Sequence, residues 1–178
     1  MALGSISLGT AHELASDRLT VVMREPGHIA LEFRIDELTL LRRLLASDAT
    51  VDEFMISMAA MSDTTFDEVV DRGRFRFESQ VLILDQNDSK LALLNWRWTS
   101  KDKLREKIRE LAMAAVVGGE LHSHDSANVI TADAISVSPI SRITLRLPKQ
   151  TSKILVVAYR PRQTAVDPAD GISLPIEF

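Results

Sequence analysis

Apolar and polar residues alternate in short runs at the start of this chain, then fall into helical spacing, then alternate again. Leu19-Thr20-Val21-Val22-Met23 reads as a strand and Pro26-Gly27 as a turn. His28 to Ile35 reads as a second strand, with Ile29, Leu31, Phe33 and Ile35 on one face. The period then changes. Asp36 can cap a helix over Leu38 to Ala46, where Leu38, Leu41 and Leu45 share a stripe that Leu40 and Leu44 widen. Thr50 followed by Glu53 has the form of a capping box, and Val51, Phe54, Met55, Met58 and Met61 then recur at helical spacing. A shorter helix is expected from Thr65 to Asp71, ending before Gly73.

Arg74 to Leu84 alternates again, with Phe75, Phe77, Val81 and Ile83 on one face, and predicts the first arm of a hairpin. Leu91 to Trp98 would return, with Leu94, Trp96 and Trp98 together, across the polar loop Asp85-Gln86-Asn87-Asp88-Ser89. Thr99 or Ser100 can cap the longest helix, through about residue 117, before the stop at Gly118-Gly119. The last third looks extended: weak strands at Val129-Ile130 and Ile135 to Val137, then Arg142 to Leu147. The continuous apolar run Ile154 to Tyr159 reads as a central strand buried on both faces. Together these elements predict an α+β fold. A largely antiparallel sheet would carry a helical block over about residues 36–72 and one long helix over about 100–117.

The length of 178 residues fits one domain, with a short N-terminal arm (1–10) and a proline-containing C-terminal arm (161–178). Cysteine is absent, which removes disulfides, thiolate catalysis and cysteine-based zinc sites. The first ten residues lack the basic and apolar regions of a signal peptide, and no apolar run is long enough for a membrane span. The expected location is therefore the cytoplasm, or the host cell if the protein is viral. The net charge of −4 is unevenly spread. Residues 36–72 carry nine acids and three arginines, a net of −6, whereas residues 73–117 carry nine basic residues and six acids, a net of +3. Opposite patches on one molecule can steer self-association.

Metal-friendly side chains crowd together only at Glu120-Leu121-His122-Ser123-His124-Asp125. On a strand, His-x-His points both imidazoles to one side, so His122 and His124 are candidate ligands. Asp125 or Asp133 could supply a third ligand and Glu120 a base. Leu121-His122-Ser123-His124 followed by Ser126-Ala127 resembles the opening motif of polymerase-and-histidinol-phosphatase hydrolases. His122-Ser123-His124 also resembles the core of JAMM-type zinc isopeptidases. In that family a serine and a zinc-binding aspartate follow, and here those places hold Ala132 and Ile135. Each resemblance implies a small metal-dependent hydrolase.

Arg72-Gly73-Arg74-Phe75-Arg76-Phe77 resembles the aromatic–basic strand of RNA-recognition motifs, and Asn95-Trp96-Arg97-Trp98 adds rings beside an arginine. That resemblance implies contact with RNA or single-stranded DNA through Arg74, Arg76, Arg97, Lys101, Lys103 and Arg105. Met55, Met58 and Met61 make an adaptable helix face that could receive a partner. Ile172, Leu174, Ile176 and Phe178 alternate along a proline-stiffened arm that could add a strand to a sheet edge. No cofactor is implied. The reading favoured over hydrolase and nucleic-acid binder is a non-enzymatic interaction or assembly protein, structural or adaptor in type and cellular or viral. It would form homo-oligomers through Met55, Met58, Met61 and the arm.

Overall fold

The alternating run before Pro26-Gly27 and the one after it pair as an antiparallel hairpin, β1 (Arg18–Glu25) and β2 (His28–Ile35). The computed structural model describes residues 17–117 and 127–161. Gly27 is required at the turn, because an added Cβ would lie 2.6 Å from the Ser136 carbonyl oxygen. Leu19, Val21, Ile29, Leu31, Phe33 and Ile35 are all buried on one face, as the alternation predicts.

Three helices follow: α1 (Glu37–Leu45), α2 (Val51–Ala59) and α3 (Asp63–Gln80). Asp36 caps α1 by accepting from the backbone N–H of Leu38 at 3.0 Å. The capping box at α2 is complete, with Thr50 accepting from Glu53 N–H and Glu53 from Thr50 N–H. Beyond α3 come β3 (Leu82–Leu84), β4 (Ala92–Arg97), α4 (Lys101–Val117), β5 (Asn128–Ile135), β6 (Thr144–Arg146) and β7 (Leu155–Tyr159).

The main sheet has five strands in the order β4-β5-β2-β1-β7. Its pairs are antiparallel except β1 with β7, which run parallel, and β3 and β6 form a separate antiparallel ribbon. The fold is α+β. Two cores divide the molecule. One joins the inner sheet face to Leu40 and Leu44 of α1 and Phe77 of α3. The other lies among the helices, around Leu38, Leu41, Phe54, Met55, Met58, Phe66, Leu104 and Ile108. Phe33, Phe77, Trp96 and Trp98 form an aromatic cluster in the first core, with Phe33 edge-on to Phe77 at 5.5 Å.

Four expectations need correction. The helix expected to end before Gly73 runs to Gln80, so Arg74 to Gln80 is not a hairpin arm. Its buried residues Phe66, Val70, Gly73 and Phe77 step by four, three and four, a helical period stronger than the two-residue echo of Phe75 and Phe77. Phe75 is consequently 72% exposed. The expected loop does form, with Asp85 accepting from Asn87 and Ser89 N–H at 2.8 and 2.9 Å. The two sides of the loop pair only at its base, where Leu84 bridges Lys90 and Leu91 N–H donates to the Ile83 carbonyl at 2.9 Å; beyond that β3 pairs with β6 and β4 with β5.

Second, Leu94 does not share a face with Trp96 and Trp98. Leu94 pairs with Asp133 and Arg97 with Thr131, so β4 takes three steps where β5 takes two. This bulge at Asn95 reverses the alternation. Third, Val129-Ile130 and Ile135 belong to one strand, β5, which lies inside the sheet. Fourth, β7 is not central; among the described strands it lies at the edge, and all five of its residues are exposed. The Gly118-Gly119 stop and the arm 162–178 lie outside the described residues.

Candidate functional site

The proposed metal ligands His122, His124 and Asp125 lie outside the described residues, as do Glu120 and the arm residues Ile172, Leu174, Ile176 and Phe178. Among the described residues no three His, Asp or Glu side chains are grouped to hold a metal ion. Nor is any helix among them long and apolar enough to cross a membrane. Met55 and Met58 are each 1% exposed and sit inside the helical core, with Met61 partly buried against it. Those two methionines therefore offer no surface.

The basic residues are dispersed, and most are engaged within the fold. Arg74 donates to Glu37 Oε1 through Nε and Nη2 at 2.9 and 2.7 Å, donates to the Thr99 carbonyl, and lies over the Trp98 ring. Arg76 donates to the Leu44 carbonyl. Arg105 pairs with Asp63 and Asp67 and lies 4.5 Å above the Phe66 ring, while Lys101 pairs with Asp71 at 2.7 Å. Lys103 is exposed on α4, and Arg97 faces out from the sheet. Glu37 itself is fully buried, and burial pushes its carboxyl above the usual range, opposed by Arg74 and Asn128. That perturbed group ties α1, α3 and β5 together.

The outer face of the sheet, opposite the first core, carries the polar arrangement that periodicity alone did not single out. Register aligns its side chains in rows across the strands. One row reads Arg97, Thr131, Glu32, Thr20, Val157, and the next Leu94, Asp133, Ala30, Val22, Tyr159. Small side chains at Thr20, Ala30 and Thr131 leave a basin of about 380 Å³, walled by Arg24, Glu32, Arg97, Asp133 and Tyr159.

The wall at Asp133 is built by the bulge. Asn95 has a left-handed backbone, φ 55°, and its Nδ2 donates to Asp133 Oδ2 at 3.0 Å. His28 Nε2 lies 2.9 Å from Asp133 Oδ1. The hydrogen bond from His28, then that from Asn95, hold the Asp133 carboxyl below the usual range. A sequence signal for this site exists: Asn95 interrupts an apolar strand and Asp133 interrupts the alanine–isoleucine run of β5. Its meaning depends on register, which links residues 105 positions apart.

The second unusual feature is β7 itself. Leu155, Val157 and Tyr159 are 39%, 38% and 52% exposed, and Val156 and Ala158 are exposed as well. Leu155 N–H donates to the Asp17 carbonyl at 2.8 Å, toward β1. Alternation then directs the N–H and C=O groups of Val156 and Ala158 to the edge that no described strand covers. Beside that edge, on the inner side, Val21, Met23, Ile29, Ile140, Ile143 and Ala158 line an apolar groove of about 580 Å³. Compared with models of known families, with curated proteins and with solved structures, the chain matches none.

Proposed function

We propose that this is a self-associating interaction protein whose copies join at the β7 edge. The observation that carries the reading is an exposed strand, Leu155-Val156-Val157-Ala158-Tyr159, with neither charge nor proline within it. Proteins ordinarily blunt such edges with lysine, proline or a covering element, because unpaired strands template further pairing. Here Lys153, Arg160 and Pro161 only flank the run.

The edge is self-complementary. A two-fold axis at Val157 sets Val156 opposite Ala158 of a second, antiparallel copy. Both residues direct N–H and C=O outward, so each pair exchanges two backbone hydrogen bonds. On the outer face the same register lays Leu155 beside Tyr159 of the second copy and Val157 against its counterpart. One five-residue strand makes a small interface, so dissociation in roughly the micromolar range is expected.

Light scattering across a concentration series tests the proposal. Val156→Pro removes an edge N–H and leaves the ladder to β1 intact, and Val157→Lys places charge on the outer face. Each should yield monomer where the parent chain self-associates. A parent chain that stays monomeric at high concentration, or variants that associate unchanged, would reject the reading. Removing residues 165–178 should leave association in place. Loss of the oligomer on that truncation would instead assign the contact to the arm from Ile172 to Phe178.

A further inference from the structure

The basin on the outer sheet face has an imbalance of hydrogen-bonding groups. Its acids are already engaged: both Asp133 oxygens by His28 and Asn95, and Glu32 by Arg34 Nε at 3.0 Å. Its donors are not. The guanidinium groups of Arg24 and Arg97 and the hydroxyls of Thr20, Thr131 and Tyr159 have no hydrogen-bond partner among the described residues. Arg24 and Arg97 enter from strands three places apart in the sheet, and the side chains between them are short at Ala30 and Thr131. The result is a recess with donors around it and a floor one methyl group deep.

From this we infer that the basin binds a small organic oxyanion, a phosphate or carboxylate compound, gripped between Arg24 and Arg97. A guanidinium fork matches two oxygens of such a group, and threonine and tyrosine hydroxyls can donate to the remaining ones. The volume of about 380 Å³ lies within the range of metabolite-sized pockets and is too large for a bare ion alone. Asn95 shapes one wall of the basin. A non-glycine residue with φ 55° inside a strand is a strained arrangement, and here it turns a carboxamide onto Asp133. The site is distinct from the β7 pairing edge, although Tyr159 borders both.

Calorimetry and amide chemical-shift mapping with two probes, inorganic phosphate and citrate, test the inference. At least one probe should bind saturably, with shifts concentrated at residues 20, 30–32, 95–97 and 131–133. Response to phosphate alone assigns a phosphate compound; response to citrate alone assigns a carboxylate. Arg97→Gln should weaken binding tenfold or more. Ala30→Leu keeps every charge but fills the floor, and should abolish saturation while the chain stays folded by thermal melting. Absence of saturation with both probes overturns the site. Equal binding by Ala30→Leu also overturns it, because that result describes general attraction to surface arginines.

Discussion

Arg74 forks onto a Glu37 carboxylate that has no exposed surface at all, and the pair joins α3 to the first turn of α1. Burying two charges costs several kcal/mol each, recovered here through close geometry and further bonds from Asn128 to Glu37 and from Arg74 to Thr99. Removing one partner leaves the other charge stranded. Arg74→Ala should therefore lower unfolding free energy by about 3–5 kcal/mol in urea denaturation. Removing both, as Glu37→Gln with Arg74→Met, should cost clearly less than Arg74→Ala alone. If the double variant is the worse of the two, the pair is not the source of the loss.

Two carboxyls give opposite pH dependences. Glu37 is raised, so the native state holds its proton where the unfolded chain has lost it. Its contribution to stability is therefore greatest below the ordinary glutamate value and declines as pH rises toward the raised native value. Asp133 is lowered, so its contribution is present above the ordinary aspartate value and is lost as pH falls through the depressed native value. Melting temperatures should show Glu37→Gln removing the first trend from mildly acidic to neutral pH, and Asp133→Asn removing the second in strongly acidic solution, below the ordinary aspartate value. Since Asp133 is partly exposed, solvent screening limits Asp133→Asn to a loss of about 1 kcal/mol at neutral pH.

Gly73 lets α3 approach α1, because an added Cβ would overlap Leu41 Cδ2 and press on Leu45 Cδ1. Alanine gains about 1 kcal/mol of helix propensity but pays about 1–3 kcal/mol for overpacking a site where Leu41 is fully buried. Gly73→Ala should be mildly destabilising and Gly73→Leu strongly so. A stabilised Gly73→Ala in thermal denaturation would mean that Leu41 can move aside.

The left-handed backbone at Asn95 sets a fourth expectation for substitutions. Asn95→Gly should retain stability within about 1 kcal/mol, since glycine adopts positive φ without strain and offsets the lost bond to Asp133. Asn95→Val should cost about 1–3 kcal/mol, as a β-branched residue resists that conformation. Equal stability of the two variants would show that the bulge relaxes to regular strand.

Much of the fold was legible because burial follows period. The β1–β2 hairpin, α1, the α2 capping box and α4 are all dictated within short windows of chain. What misled was local ambiguity that only packing resolves. Phe75 and Phe77 echo a strand, yet the interval from Phe66 through Val70 to Phe77 belongs to a helix. Leu94 looks in phase with Trp96 until Asn95 inserts a residue. The apolar β7 resembles a buried strand, and composition cannot distinguish a strand that is covered from one that is open. The outer-face site was hidden for a related reason: His28, Asn95 and Asp133 become neighbours only through β-sheet register, and none forms a motif in sequence.

Helix α1 faces both ways, with Leu40 and Leu44 in the sheet core and Leu38 and Leu41 in the core among the helices. A shared wall of this kind forbids either half from melting while the other stays intact. Exchange-protected amides in β2 and in α4 should thus become labile together as denaturant rises, in one cooperative unit. Weakening α1 on its helical-core side, with Leu38→Ala, should also loosen the strands of the other core.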